Sequence, residues 1–188
     1  MSKISAGNKI PNFEFNTAYE NNVTVESILK KKEKTVFWVV RYIGCPPCRL
    51  DVHLIAKEYE KFLELNTQVF VVMQSEQATI REDLKDVKLP FDIICDSKMK
   101  FYKELEILPA ASMEELAPKN QEDIAKWKEK IKNIKEAGFV HGKYEGDEQQ
   151  LPALFIVDRE GTVEYAHYGK NIVDMPTVYE VLRIINNL

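Results

Sequence analysis

Cys45 and Cys48 flank a Pro46-Pro47 pair, and thiols at that spacing suit the opening and closing of a disulfide. An apolar run, Thr35-Val36-Phe37-Trp38-Val39-Val40, reads as a strand that stops near Gly44 and delivers the pair to an amphipathic helical pattern starting at Arg49. At a helix N-terminus the unpaired backbone N–H groups and the helix dipole favour a thiolate, the reacting form of cysteine. Arg41 and Arg49 flank the motif and carry the sign of charge that lowers a thiol pKa. These features assign Cys45 as the nucleophile. Cys48, about one turn further on, is expected beneath it as the resolving thiol, with Cys45 the more exposed. Pro46 suits a first helical turn, where a missing N–H costs little, and the Pro-Pro pair stiffens the loop in both oxidation states.

Two other readings compete. Half of a structural zinc site needs more ligands, yet only Cys95 remains as a thiol and His53, His141 and His167 show no paired ligand spacing. No metal and no cofactor is therefore expected. A pair of inert core cysteines is the other alternative. Cys95, ending an apolar strand pattern, reads as a core thiol rather than a distal resolving one. His53 lies about two helical turns beyond Cys45 and reads as a surface histidine.

The elements that must position this motif are readable from patterning. With 188 residues and 45% hydrophobic content, the chain fits one domain, residues 1–188, that needs no disulfide or metal to fold. A net charge of -4 with lysines interspersed among acids gives no case for nucleic acid. Lys30-Lys31-Lys32 reads as a solvated helix end. No apolar stretch approaches the roughly 18 residues of a membrane span and no signal core opens the chain, so a soluble, cytoplasmic protein is expected. In a reducing compartment a paired-thiol motif is better suited to catalysis or sensing than to a permanent bridge.

Strand and helix patterns alternate. Ser27-Ile28-Leu29 suggests a short helix, Thr35 to Arg41 a buried strand, and the segment from Pro46 through Leu50, Leu54, Tyr59, Phe62 and Leu63 one helix. Val69 to Met73 reads as a strand, Ser75 as the N-cap of a helix near Glu76 to Lys85, and Phe91 to Cys95 as a strand. This order argues for an α/β fold, with a mainly parallel sheet between helices. From about 109 to 150 the strand signals give way to a charged helix with Ile124, Trp127, Ile131 and Ile134 on one face. That stripe reads as packing over the domain, with a partner-binding or homodimer surface as the alternative. Gly138, Gly142 and Gly146 mark an irregular loop bordering the active site. Leu154 to Val157, a turn at Asp158 to Gly161, and Thr162 to His167 form a hairpin, followed by a helix beginning at Asp174 with Pro176 in its first turn.

The motif after a buried strand, the segment Leu151-Pro152-Ala153-Leu154-Phe155-Ile156-Val157-Asp158 before a glycine turn, and the closing helix together resemble the thioredoxin-like superfamily. More narrowly, Arg41 to Arg49, the segment Cys95-Asp96-Ser97-Lys98-Met99-Lys100-Phe101-Tyr102 and the glycine-spaced region through Gly146 look like the peroxiredoxin-like branch of the alkyl hydroperoxide reductase and thiol-specific antioxidant (AhpC/TSA) group. The resemblance implies a central mixed β-sheet flanked by helices, with the helical insertion preceding the C-terminal hairpin. It also implies a cis Pro152 facing the thiols, with Leu151 offering backbone hydrogen bonds to an extended substrate.

The chain departs from both patterns. Gly44 stands where thioredoxins place tryptophan, and Val39 where they bury an acid on the preceding strand. The proline and threonine upstream of a peroxidatic cysteine are replaced by Trp38 and Tyr42 counting from Cys45, or by Arg41 and Cys45 counting from Cys48. Proton transfer to the buried thiol must then use water or another residue, and disulfide exchange is favoured over peroxide reduction, which needs donors aligning both oxygens. The expected function is a thiol–disulfide oxidoreductase acting on a disulfide-containing protein or small molecule, re-reduced by a thiol electron donor. The alternatives are a thiol peroxidase reducing hydroperoxides and a non-enzymatic redox sensor or protein-binding module.

Overall fold

Residues 3–188 are described by a computed structural model. Their strands are β1 (Glu14–Thr17), β2 (Val23–Thr24), β3 (Lys34–Val39), β4 (Thr67–Met73), β5 (Asp92–Cys95), β6 (Ala153–Asp158) and β7 (Val163–Tyr168). The helices are α1 (Val25–Leu29), α2 (Pro46–Lys57), α3 (Tyr59–Glu64), α4 (Gln77–Asp83), α5 (Lys100–Glu104), α6 (Met113–Leu116), α7 (Gln121–Glu136) and α8 (Val178–Asn187). The strands form one mixed sheet in the order β2-β1-β5-β4-β3-β6-β7. β3, β4 and β5 run parallel, while β6 lies antiparallel to β3 and β7 antiparallel to β6.

The near-continuous apolar run of β3 reflects burial on both faces. Val36 and Trp38 enter one core with Val52 and Ile55 of α2, Ile80 of α4 and Val181 of α8. Phe37 and Val39 point the other way, toward Ile28 of α1 and Phe101 of α5. Because strand side chains alternate, each core receives every second residue. The sheet thereby fixes the carboxyl end of β3, where the thiols stand. Among the described residues no helix is long and apolar enough to cross a membrane.

Several local expectations shift. The helix read from Pro46 onward divides at Glu58, whose φ of -105° and ψ of 10° end α2 before α3 begins. Ser75 does not cap α4, which starts after Glu76; its Oγ accepts from Ile43 N at 2.9 Å and steadies the loop before the thiols. α8 starts later than Asp174, because Thr177 and Glu180 form a capping box and leave Pro176 outside the helix. Asp174 instead accepts from Lys170 N at 2.8 Å. In the hairpin turn Gly161 has φ +84°, a left-handed conformation that favours glycine.

Candidate active site

The site begins where β3 ends. Cys45 is the N-cap of α2, with φ -81° and ψ 117°, and Pro46 and Pro47 occupy the first turn. Cys45 N donates to Tyr42 O at 3.2 Å, and Cys45 O accepts from Arg49 N at 3.0 Å. One turn of helix then brings the two sulfurs to 2.8 Å.

Arg41 reaches the pair from the strand side. Its Nη2 donates to Cys45 Sγ at 3.0 Å and its Nη1 to Glu148 O at 2.8 Å. Arg49 does not act as the sequence suggested: its Nε donates to Ile43 O at 2.8 Å and its Nη2 pairs with Asp83 of α4. That ion pair turns the guanidinium away and leaves Arg41 as the cation at the sulfurs.

The exposure order is also corrected. Cys45 is 0% exposed and Cys48 4%, and the glycine-spaced loop between α7 and β6 packs on the residues just before them. Gly142 N donates to Gly44 O at 2.8 Å, and a Cβ on Gly44 would lie 2.2 Å from Lys143 O, so the two backbones meet without side chains between them. Tyr42 Oη lies 3.1 Å from His141 Nε2, and the His141 ring stacks on Tyr144 at 3.9 Å. Gln74 Oε1 accepts from Asp147 N at 2.6 Å and its Nε2 donates to Asp147 O at 3.1 Å. The expected border loop is thus a lid, fastened to residues on either side of the motif. Tyr42, Gln74, His141 and Glu148 were not read as site residues; the glycine spacing was the one signal that pointed to this loop.

Burial, the hydrogen bond it shares with Cys48 and that partner's charge push the Cys45 thiol well up, against the opposing pull of Arg41. Burial also opposes ionisation of Cys48, but the Cys45 hydrogen bond and the Arg41 charge outweigh it and bring Cys48 down to about 7. Two sulfurs this close share a proton, so the first ionisation is eased and the second resisted. The pair therefore carries one negative charge more readily than two, and Arg41 Nη2 lies on the Cys45 side of it.

Pro152 lines a small cavity with Cys48, but no peptide bond among the described residues is cis; the cis proline implied by the family resemblance is therefore absent. Leu151 O accepts from Gln150 Nε2 at 3.1 Å, so that carbonyl already has a donor. Cys95 is half-buried at the end of β5, and burial with the Asp92 charge pushes its thiol up to about 12. His53 is exposed, with its ring edge-on to Phe139 at 5.9 Å. No group of three or more His, Cys, Asp or Glu side chains among the described residues is placed to hold a metal ion.

Comparison with solved structures returns peroxiredoxins. Over 97% of this chain and 72% of the other, a mutant of peroxiredoxin 6 from Arenicola marina superposes with TM-score 0.72 at 14% identity. Peroxidoxin BcpB from Mycobacterium tuberculosis gives TM-score 0.68 at 8% identity, covering 98% of each chain. A reduced 2-Cys peroxiredoxin from Plasmodium vivax gives TM-score 0.67 at 15% identity, covering 97% of this chain and 81% of that one. No curated protein matches in sequence. The model of the AhpC/TSA family matches residues 6–166, nearly the whole α/β sheet with its thiols, and the chain therefore belongs to the AhpC/TSA family, as a thiol-dependent peroxidase or oxidoreductase with a thioredoxin-like fold.

Proposed function

We propose that the protein is a thiol–disulfide oxidoreductase in which Cys45 attacks a substrate disulfide and Cys48 resolves the mixed disulfide. The observation that carries this reading is the 2.8 Å approach of the two sulfurs with Arg41 Nη2 at 3.0 Å from Cys45 Sγ. A bridge between them closes with little movement of α2, and a cation stands ready for the thiolate. Burial is the largest influence holding Cys45 up, so moving the lid aside both admits substrate and lets the charge settle on Cys45 beside Arg41. The substrate is a disulfide of a protein or a small molecule, and a thiol donor restores the pair. A reducing compartment such as the cytoplasm suits a pair kept available as thiols. Reduction of insulin or a small aromatic disulfide by the reduced protein tests the reading; no turnover together with an unreactive Cys45 would overturn it.

Family membership and the cation on Cys45 favour a second reading, reduction of hydroperoxides. There Cys45 thiolate attacks the peroxide, an alcohol or water leaves, and the sulfenic acid condenses with Cys48 to a disulfide with loss of water. Rapid-mixing oxidation by hydrogen peroxide should then outpace that of free cysteine by orders of magnitude. A rate equal to that of free cysteine removes it.

A further inference from the structure

Beside Cys48, where the end of the loop between α7 and β6 meets α2, lies a cavity of about 20 Å³ lined by Arg41, Cys48, Asp51, Lys130, Gln150 and Pro152 among others. One water needs roughly 10–15 Å³ of such space and two or more polar partners. Gln150 is 1% exposed. Its Nε2 donates to Ile107 O at 2.8 Å, while its Oε1 is buried and has no hydrogen-bond partner among the described residues. Asp51 sits one helical turn beyond Cys48, on the same face of α2. Lys130, from the insertion helix α7, clamps both carboxylate oxygens of Asp51 at 2.7 and 3.0 Å.

We propose that this chamber is the proton-transfer site for Cys48, with Asp51 accepting the thiol proton through a water seated on Gln150 Oε1 and Lys130 holding the carboxylate in place. The inference rests on the exchange reading above, at its second step. Once Cys45 is bonded to substrate, Cys48 loses the neighbouring sulfur that shares its proton, and at 4% exposure it has little direct access to water. Cys48 then passes its proton to Asp51, its sulfur attacks Cys45 Sγ, and the Cys45–Cys48 bond forms as the Cys45–substrate bond breaks. The second substrate sulfur leaves as a thiolate and collects the proton. Two electrons have moved from the dithiol to the substrate. Transfer inside the protein keeps the local charge constant, whereas loss to bulk water does not.

The titratable or charged groups that face Cys48 are Cys45, Arg41, Tyr42 and Tyr102 besides Asp51, and Lys130 faces Asp51. Tyr42 and Tyr102 are pushed up by burial and Arg41 stays charged, so none of these three titrates near neutrality. Asp51 acts here as a positioning and relay residue, and its signature is a pH profile.

The experiment mixes the reduced protein with dithionitrobenzoate and follows the coloured thiolate. A first release reports attack by Cys45, and a second reports bridge closure by Cys48. Wild type is expected to show a second phase nearly independent of pH between about 6 and 8. Asp51→Asn should leave the first phase within about twofold and make the second fall about tenfold per pH unit toward acid, as loss of one proton to bulk requires. Asp51→Glu restores the flat profile. Equal slopes in wild type and Asp51→Asn overturn the role of Asp51 alone; absence of a first phase in wild type overturns the exchange reading and this step with it. If Asp51→Asn does not fold, Lys130→Met decides: releasing the carboxylate should give an acid slope, and a flat profile overturns the proposal.

Discussion

Arg41 contacts both the reacting sulfur and the lid, which makes it the most informative single position to alter. Its charge lowers both thiols, so Arg41→Met should raise the first thiol ionisation, followed by thiolate absorbance in the ultraviolet, by about one to three pH units. An unmoved titration would show that Arg41 does not govern the pair. Its position before the motif was enough to nominate it from sequence. Arg49 looked equivalent by the same criterion, yet its direction is decided by Asp83 of α4, far along the chain, and no local pattern encodes that. Cys45 and Cys48 were legible because their separation is a property of one helical turn. Gln150 and Asp51 were not, since their significance lies in a cavity shared by α2, α7 and the start of β6.

The lid and the turn that precedes α2 meet at main-chain contact between Gly44 and Gly142, and there a methyl group decides the outcome. A Cβ at Gly44 would fall 2.2 Å from Lys143 O and 2.8 Å from Lys143 N, so Gly44→Ala must displace the loop. Maleimide labelling of Cys45 in the native state is expected to accelerate by at least about tenfold if closure is what limits access; an unchanged rate would show that the thiols are reached another way. The helix that closes the fold offers a simpler check. Thr177→Ala removes a capping box and should cost about 1 kcal/mol in denaturant unfolding. Strand patterning located β3, β4, β5 and the β6–β7 hairpin to within a residue or two, because strands buried on both faces leave near-continuous apolar runs. Helix starts were less readable: Asp174 and Ser75 are both capable caps, and the positions chosen depend on partners, Lys170 and Ile43, that hydrogen-bond them for other purposes.

The sheet separates two cores, and the strands that divide them carry most of the burial. Phe155 in the middle of β6 is fully buried and packs edge-on to Tyr168 at 5.3 Å. Phe155→Ala should therefore cost about 3–5 kcal/mol, measured by urea titration, with loss of the native state at elevated temperature. The loop between α7 and β6 is tied to the site by hydrogen bonds from Arg41, Gln74 and Gly142. Oxidation of the thiol pair removes the negative charge that holds Arg41 at the sulfurs, so trypsin should cut after the exposed Lys143 faster in diamide-treated protein than in reduced protein. Equal rates would show that closure is indifferent to oxidation state. The alternation of β3 to β5 with helices and the charged helical segment between about 109 and 150 were readable from the periodicity of apolar residues, but β1 and β2 were not. With β6 and β7 they make the sheet mixed where the pattern argued for a mainly parallel one. The folding of that insertion back over the motif was not readable, since its contacts are between main-chain atoms and polar tips.

Cys95 gives the experimenter something further. Held neutral at the end of β5 and bonded at most weakly, at 3.8 Å, to Ile93 O, it is chemically quiet where its two companions are not. Each molecule thus carries an internal standard: after gentle oxidation and unfolding, a chromogenic sulfhydryl assay should register one equivalent out of the three encoded, and any other tally dates the damage to a sample.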